Sequence, residues 1–160
     1  MMTPQQRAGH FALPSGPDRN SPPPVDDPRG MEGKQGPPRV LVVEDDFLIA
    51  MQTEIALTAA GFEVIGPATT AEEAVALAGE AQPVLAVMDI RLASTRDGID
   101  AARQLYQDFA IRCIFATAHD DAHTRGRAEP YAPLGWLPKP YTMASLVAVV
   151  ADAVAELRGR

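Results

Sequence analysis

The sequence predicts an α/β domain over residues 39–160, built on an open, doubly wound, five-stranded parallel sheet with helices on both faces. Three observations carry this reading. Short apolar runs of strand length recur along the chain, segments with helical spacing separate most of them, and Gly, Pro, Asp or Thr marks the joins. Strands separated by helices of this length pair in parallel through right-handed crossovers.

Taken in order, Arg39–Val43 is the first strand. The next segment, 46–60, has helical spacing through Leu48, Met51, Ile55 and Ala59 and stops at Gly61. Residues 62–65 form a second strand closed by Gly66-Pro67. The helix over 70–81 opens with Thr70 and Glu73, spaced as a capping box. The third strand is 84–88. A helix over 97–108 follows, with Asp97 as its cap and Ile99, Ala102, Leu105 and Tyr106 on one face. Residues 111–116 give the fourth strand and 134–137 a short fifth. The closing helix, 142–157, has a stripe of Leu146, Val149, Val150, Ala153, Val154 and Leu157. Between strands four and five, Gly126, Pro130 and Pro133 interrupt the crossover, so that helix is expected to be short, irregular or mobile. The last helix runs to the end of the sequence, and no output domain is expected after it.

Residues 1–38 differ in kind. They hold nine of the fifteen prolines and five of the twelve glycines, and their four basic and four acidic side chains cancel. Such a segment cannot offset its ordering entropy and reads as a disordered tail. Pro22-Pro23-Pro24 favours a polyproline conformation and a partner-binding arm. An inert extension, or a start at Met31, explains the composition more simply.

The net charge of −7 thus belongs to residues 39–160. An acidic domain repels phosphate backbones, so direct nucleic-acid binding is not expected. No apolar run reaches the length of a secretory core or a membrane span. The single cysteine, Cys113, lies in an apolar run, as a small buried hydrophobe would. A cytoplasmic protein is expected.

Function concentrates at the strand ends. Glu44-Asp45-Asp46 follows the first strand, Asp89 the third and Thr117 the fourth, while Lys139-Pro140 follows the fifth. In a doubly wound sheet, residues at the carboxyl ends of central strands converge on one crevice. Carboxylates, a hydroxyl and an ammonium gathered there would bind a divalent cation and a phosphoryl group.

These four markers, in this order and spacing, resemble the receiver domain of bacterial two-component response regulators, a flavodoxin-like fold, across residues 39–158. The resemblance implies that Asp89 accepts a phosphoryl group. It implies that Glu44 and Asp45 bind Mg²⁺, with Asp89 and the backbone carbonyl of Arg91 completing the protein ligands. Mg²⁺ prefers oxygen ligands and keeps several waters, which suits so small a set. Asp46 reads as a helix cap. Thr117 resembles the hydroxyl that bonds the phosphoryl group, and Lys139 the lysine that pairs with one of its oxygens, placed by a cis peptide before Pro140. Trp136, three residues before Lys139, stands where the family has a switch aromatic, although a large ring there can simply pack. Arg91 and His119 occupy positions that tune phosphoryl lifetime in the family, or are solvated side chains.

The loop after Asp89 departs from the family. Ile90-Arg91-Leu92-Ala93-Ser94-Thr95-Arg96 replaces a loop with a Met-Pro pair and is about one residue longer. Phe115-Ala116-Thr117 resembles a subgroup of stand-alone receivers with Phe-Ala-Thr-Gly, with Ala118 in place of the glycine.

The resemblance implies a single-domain response regulator, not a metabolic enzyme. It would be phosphorylated by a sensor histidine kinase or a histidine phosphotransfer protein. It would signal to a downstream protein target, or act as a phosphate shuttle or sink. The 119–157 face, with Ala144, Ala148, Ala151 and Ala155 on the last helix, is the expected contact surface and permits a homodimer. A degenerate receiver that binds partners without phosphorylation is the alternative. A phosphatase with an aspartyl nucleophile would carry an aspartate two residues after it, where this chain has Arg91. No Gly-x-Gly-x-x-Gly follows a strand, so nucleotide binding has no support.

Overall fold

The computed structural model describes residues 36–119 and 121–159. The expectation for the tail therefore lies outside the described residues, apart from positions 36–38.

Five strands, β1 (Arg39–Val43), β2 (Glu63–Ala68), β3 (Leu85–Asp89), β4 (Cys113–Thr117) and β5 (Gly135–Pro138), form one sheet in the order β2-β1-β3-β4-β5. Every pairing is parallel. The helices are α1 (Phe47–Ala59), α2 (Ala71–Ala81), α3 (Gly98–Phe109), α4 (Ala122–Ala128) and α5 (Met143–Arg158), and a 3₁₀ turn, Glu129–Tyr131, extends α4.

Strand alternation divides the core in two. Val40, Val42, Leu85, Val87, Ile114 and Ala116 face a layer holding Leu57 of α1 and Leu146 and Val150 of α5. Leu41, Val43, Ala86, Met88, Cys113 and Phe115 face the opposite layer, with Ala74 and Ala78 of α2, Ile99 and Leu105 of α3, and Ala128 of α4. The central strands are buried on both sides, hence their unbroken apolar runs. Burial also pushes the Cys113 thiol up to about 12, so it packs as an inert hydrophobe.

Caps set the helix starts. Asp46 accepts from the N–H groups of Leu48 and Ile49, as expected of a cap. Thr70 accepts from Glu73 N–H, but the Glu73 carboxylate reaches Thr69 rather than Thr70, so the expected box is displaced by one residue. At α3 a complete reciprocal box forms between Asp97 and Asp100.

Two local features differ from the sequence reading. The spacing residues of α1 turn away from the sheet: Leu48 and Ile55 are 58% and 63% exposed, whereas Ala50, Thr53 and Leu57 are buried. Strand β2 continues through Gly66-Pro67 instead of stopping there, with a register shift opposite Leu41 and Val43. Gly66 permits this through its φ of +99° and its closeness to the Val42 carbonyl, where a Cβ would not fit. Segment α4 is short, as the interruptions implied.

Candidate functional site

The order β2-β1-β3-β4-β5 reverses direction beside β1, so the carboxyl ends of β1, β3, β4 and β5 surround one crevice. Its floor is Asp89, the last residue of β3, which is 5% exposed. Lys139 Nζ lies 3.2 Å from Asp89 Oδ1, and the backbone N–H of Arg91 donates to the same oxygen at 3.3 Å. Asp89 is thus a buried carboxylate with an ammonium on one side and the open crevice on the other.

Glu44 and Asp45, just beyond β1, complete an acidic cluster. One oxygen from each of Glu44, Asp45 and Asp89 lies within 4.8 Å of the others. Burial, and then the neighbouring Asp89 charge, push Glu44 up to about 7, although Lys139 and the Asp46 N–H pull the other way. An all-oxygen donor set in which like charges crowd is one that a hard divalent cation relieves, so these residues fit Mg²⁺.

Thr117 ends β4, buried at 5% exposure. Its hydroxyl accepts from His119 N–H and donates to the His119 carbonyl, both at 3.0 Å, so the site loop folds back on it. The Thr117 carbonyl accepts from Lys139 N–H at 2.8 Å, which fixes where β5 delivers its lysine. The Lys139-Pro140 peptide is cis. The crevice holds about 230 Å³ and is lined by Asp89, Arg91, Thr117, His119 and Lys139 together with Asp121 and Thr124 of the α4 entry.

Trp136 of β5 lies outside this lining. Its ring stacks on Phe115 at 5.0 Å between centroids, and the Arg125 guanidinium sits 4.9 Å from its centroid.

Sequence reasoning missed three neighbours. Asp121 and Thr124 enter because α4 starts directly after the Thr117 loop; Asp121 caps that helix by accepting from Thr124 N–H at 2.7 Å. Tyr141 sits behind Lys139-Pro140, its hydroxyl pushed up to about 12 by burial and by Glu44 and Asp89. It also lines an apolar groove of about 370 Å³ with Ile49, Gln52, Pro140 and Met143. Its place two residues after Lys139 was the available signal.

The response regulator receiver domain model matches residues 40–151. The chain is 34% identical over 122 residues to the transcriptional regulatory protein PdtaR of Mycobacterium tuberculosis, a match covering 76% of this chain and 59% of that protein. It is 37% identical over 116 residues to the phyllosphere-induced regulator PhyR of Methylorubrum extorquens, covering 72% and 43%. The chain thus spans less than two thirds of the length of these curated relatives. The signal receiver domain of a modulated diguanylate cyclase from Desulfovibrio desulfuricans G20 superposes with a TM-score of 0.69 at 34% identity, covering 76% of this chain and 97% of that one. A CheY-like receiver domain protein from Methanospirillum hungatei JF-1 shares the fold, with a TM-score of 0.72 at 22% identity over 78% and 98% of the two chains. Receiver domains bind Mg²⁺ at an acidic pocket and work with histidine kinases or phosphotransfer proteins. With the family match running from the first strand into the last helix, the chain belongs to the response regulator receiver domain family of two-component signalling.

Proposed function

We propose that this receiver accepts a phosphoryl group on Asp89 from a histidine kinase or a phosphotransfer protein and passes the signal on by protein contact. The observation that carries this reading is the buried Asp89 carboxylate, with Lys139 Nζ at 3.2 Å and the Glu44 and Asp45 oxygens beside it.

A carboxylate oxygen of Asp89 attacks the phosphorus of a phosphohistidine in line. The new P–O bond forms as the P–N bond breaks, and the imidazole leaves. Lys139 pairs with an equatorial phosphoryl oxygen, and the Thr117 hydroxyl leaves His119 to bond another. Glu44, Asp45, Asp89 and the Arg91 carbonyl would hold Mg²⁺, which supplies charge neutralisation for the phosphoryl oxygens when bound. Water later attacks phosphorus and regenerates the carboxylate; Arg91 and His119, on the crevice wall, set how easily it enters.

Docking of the donor is supported by the outer face of α1, where Phe47, Leu48, Met51 and Ile55 are exposed, and by the apolar groove beside Lys139. The output side is the 119–157 face, where Ala144, Ala148, Ala151 and Ala155 are exposed on α5, and a homodimer there belongs to the same reading. A cytoplasmic location belongs to it too; among the described residues no helix is long and apolar enough to cross a membrane.

The test is intact mass after incubation with Mg²⁺ and acetyl phosphate, beside Asp89→Asn. A gain of one phosphoryl group in the wild type alone is expected. No gain, with acetyl phosphate or with a phosphorylated histidine kinase as donor, would favour a phosphorylation-independent binding module.

A further inference from the structure

Segment α4 is tied to the loop that follows the phosphoacceptor by a contact spanning thirty positions of sequence. Arg127 Nη1 lies 2.7 Å from Asp97 Oδ2 and its Nη2 3.2 Å from Asp97 Oδ1, a fork-on-carboxylate pair. Nη2 is also 3.7 Å from Asp100 Oδ1. Burial alone would raise the Asp97 pKa, but the Arg127 hydrogen bonds and the cap bonds to Asp100 hold it below the usual carboxylate value.

Asp97 is no ordinary surface acid, because the next residue is welded to the acceptor strand. Gly98 N–H donates to the Ile90 carbonyl at 2.7 Å, and Gly98 sits so close to Asp89 that a Cβ would collide with the Asp89 carbonyl oxygen. Asp97 is thus joined, through its neighbour Gly98, to the Asp89–Ile90 backbone. On the other flank of α4, Arg125 covers Trp136, which in turn stacks on Phe115. The two arginines are two residues apart and reach different partners, one in the acceptor loop and one in β5.

We propose that Arg127 is a positioning residue that couples the acceptor loop to α4, so that occupancy at Asp89 is relayed to Trp136 through Asp97, Arg127 and Arg125. This route runs beside the Thr117 hydroxyl and does not require it. The inference rests on Asp89 being a phosphoacceptor, and it adds that the long, proline-free loop is held from α4 as well as by its own backbone bonds.

The experiment uses the full chain with Mg²⁺ and beryllofluoride as a phosphoryl mimic. Binding is read by the ¹⁹F resonance of the bound mimic and the relay by fluorescence of Trp136, the only tryptophan. In the wild type both signals are expected. In Arg127→Gln the bound resonance persists while the fluorescence change per bound mimic falls by about half or more, and Arg127→Lys restores part of it. Asp97→Asn, which keeps a capping side chain, is expected to behave like Arg127→Gln. A thermal scan of each variant separates a merely structural role, which lowers Tm but leaves that amplitude intact. Full amplitude in both Arg127→Gln and Asp97→Asn would overturn the relay. Absence of bound mimic in the wild type would overturn the phosphoacceptor reading itself, and the relay with it.

Discussion

At Glu44 two unfavourable influences meet, since its carboxylate is buried and Asp89 lies beside it. Glu44→Gln removes one of the crowded charges and is expected to raise stability in chelator by about 1 kcal/mol, read by thermal denaturation. The same variant should lose most of the Mg²⁺-dependent rise in Tm. In the wild type, the ion at ten times its Kd contributes about 1.4 kcal/mol. Gly98 imposes a steric limit: Gly98→Ala must push the acceptor loop away from Asp89. A loss of about 2 kcal/mol or more and a collapse of acetyl phosphate labelling are expected, measured by denaturant unfolding and intact mass. Asp97 governs part of the acid limb. Its folded pKa lies below its ordinary 3.8, so its contribution to stability is complete above that value and disappears as pH falls through the lower folded one. Asp97→Asn should flatten the stability profile below pH 3.8, followed by denaturant midpoints across the acid range. The residues around Asp89 were legible because each follows an apolar run of strand length. The partnership of Arg127 with Asp97 was not, since no periodicity links positions thirty apart.

Among the elements, α1 shows where pattern reading fails. Nearly every position from Phe47 to Leu57 is apolar or small, so the helix has two candidate faces, and spacing alone does not choose between them. The sheet takes the face of Ala50, Thr53 and Leu57, where the small Ala50 and Thr53 allow close approach, and Leu48, Met51 and Ile55 are left outside. In α3 and α5 the expected Ile99, Ala102, Leu105, Leu146, Val150, Ala153 and Val154 are buried, whereas Tyr106, also expected on the α3 face, is 36% exposed. The end of β2 was placed too early because a Gly-Pro pair is ordinarily a turn signal. Here the strand is at an edge, where a missing N–H costs no ladder bond on the outer side. The end of α3 carries a correctable strain. Ala110 caps it with φ of +56°, and Ala110→Gly is expected to stabilise the domain by about 0.5–1 kcal/mol, visible as a Tm rise of a few degrees. On the outer face of α1, Ile55→Glu should slow phosphoryl transfer from a protein donor while leaving acetyl phosphate labelling unchanged, since it alters the surface and not the crevice.

For the molecule as a whole, the sheet order accounts for how much of the site could be read in advance. Once the chain is recognised as alternating strands and helices, doubly wound topology brings the ends of β1, β3, β4 and β5 together without knowledge of any side-chain contact. What topology leaves open is which helix anchors which loop, and that is settled by polar side chains such as Arg96, which holds Gln104 at 2.9 Å. The two margins of the sheet carry a separate consequence. Strand β2 contains Pro67, and β5 has only four residues and ends on Pro138. Neither margin offers an uninterrupted row of donors to a foreign strand, so both are poor templates for sheet extension. Among the described residues, the surfaces open to a partner are therefore made of side chains rather than of free backbone donors at a sheet margin.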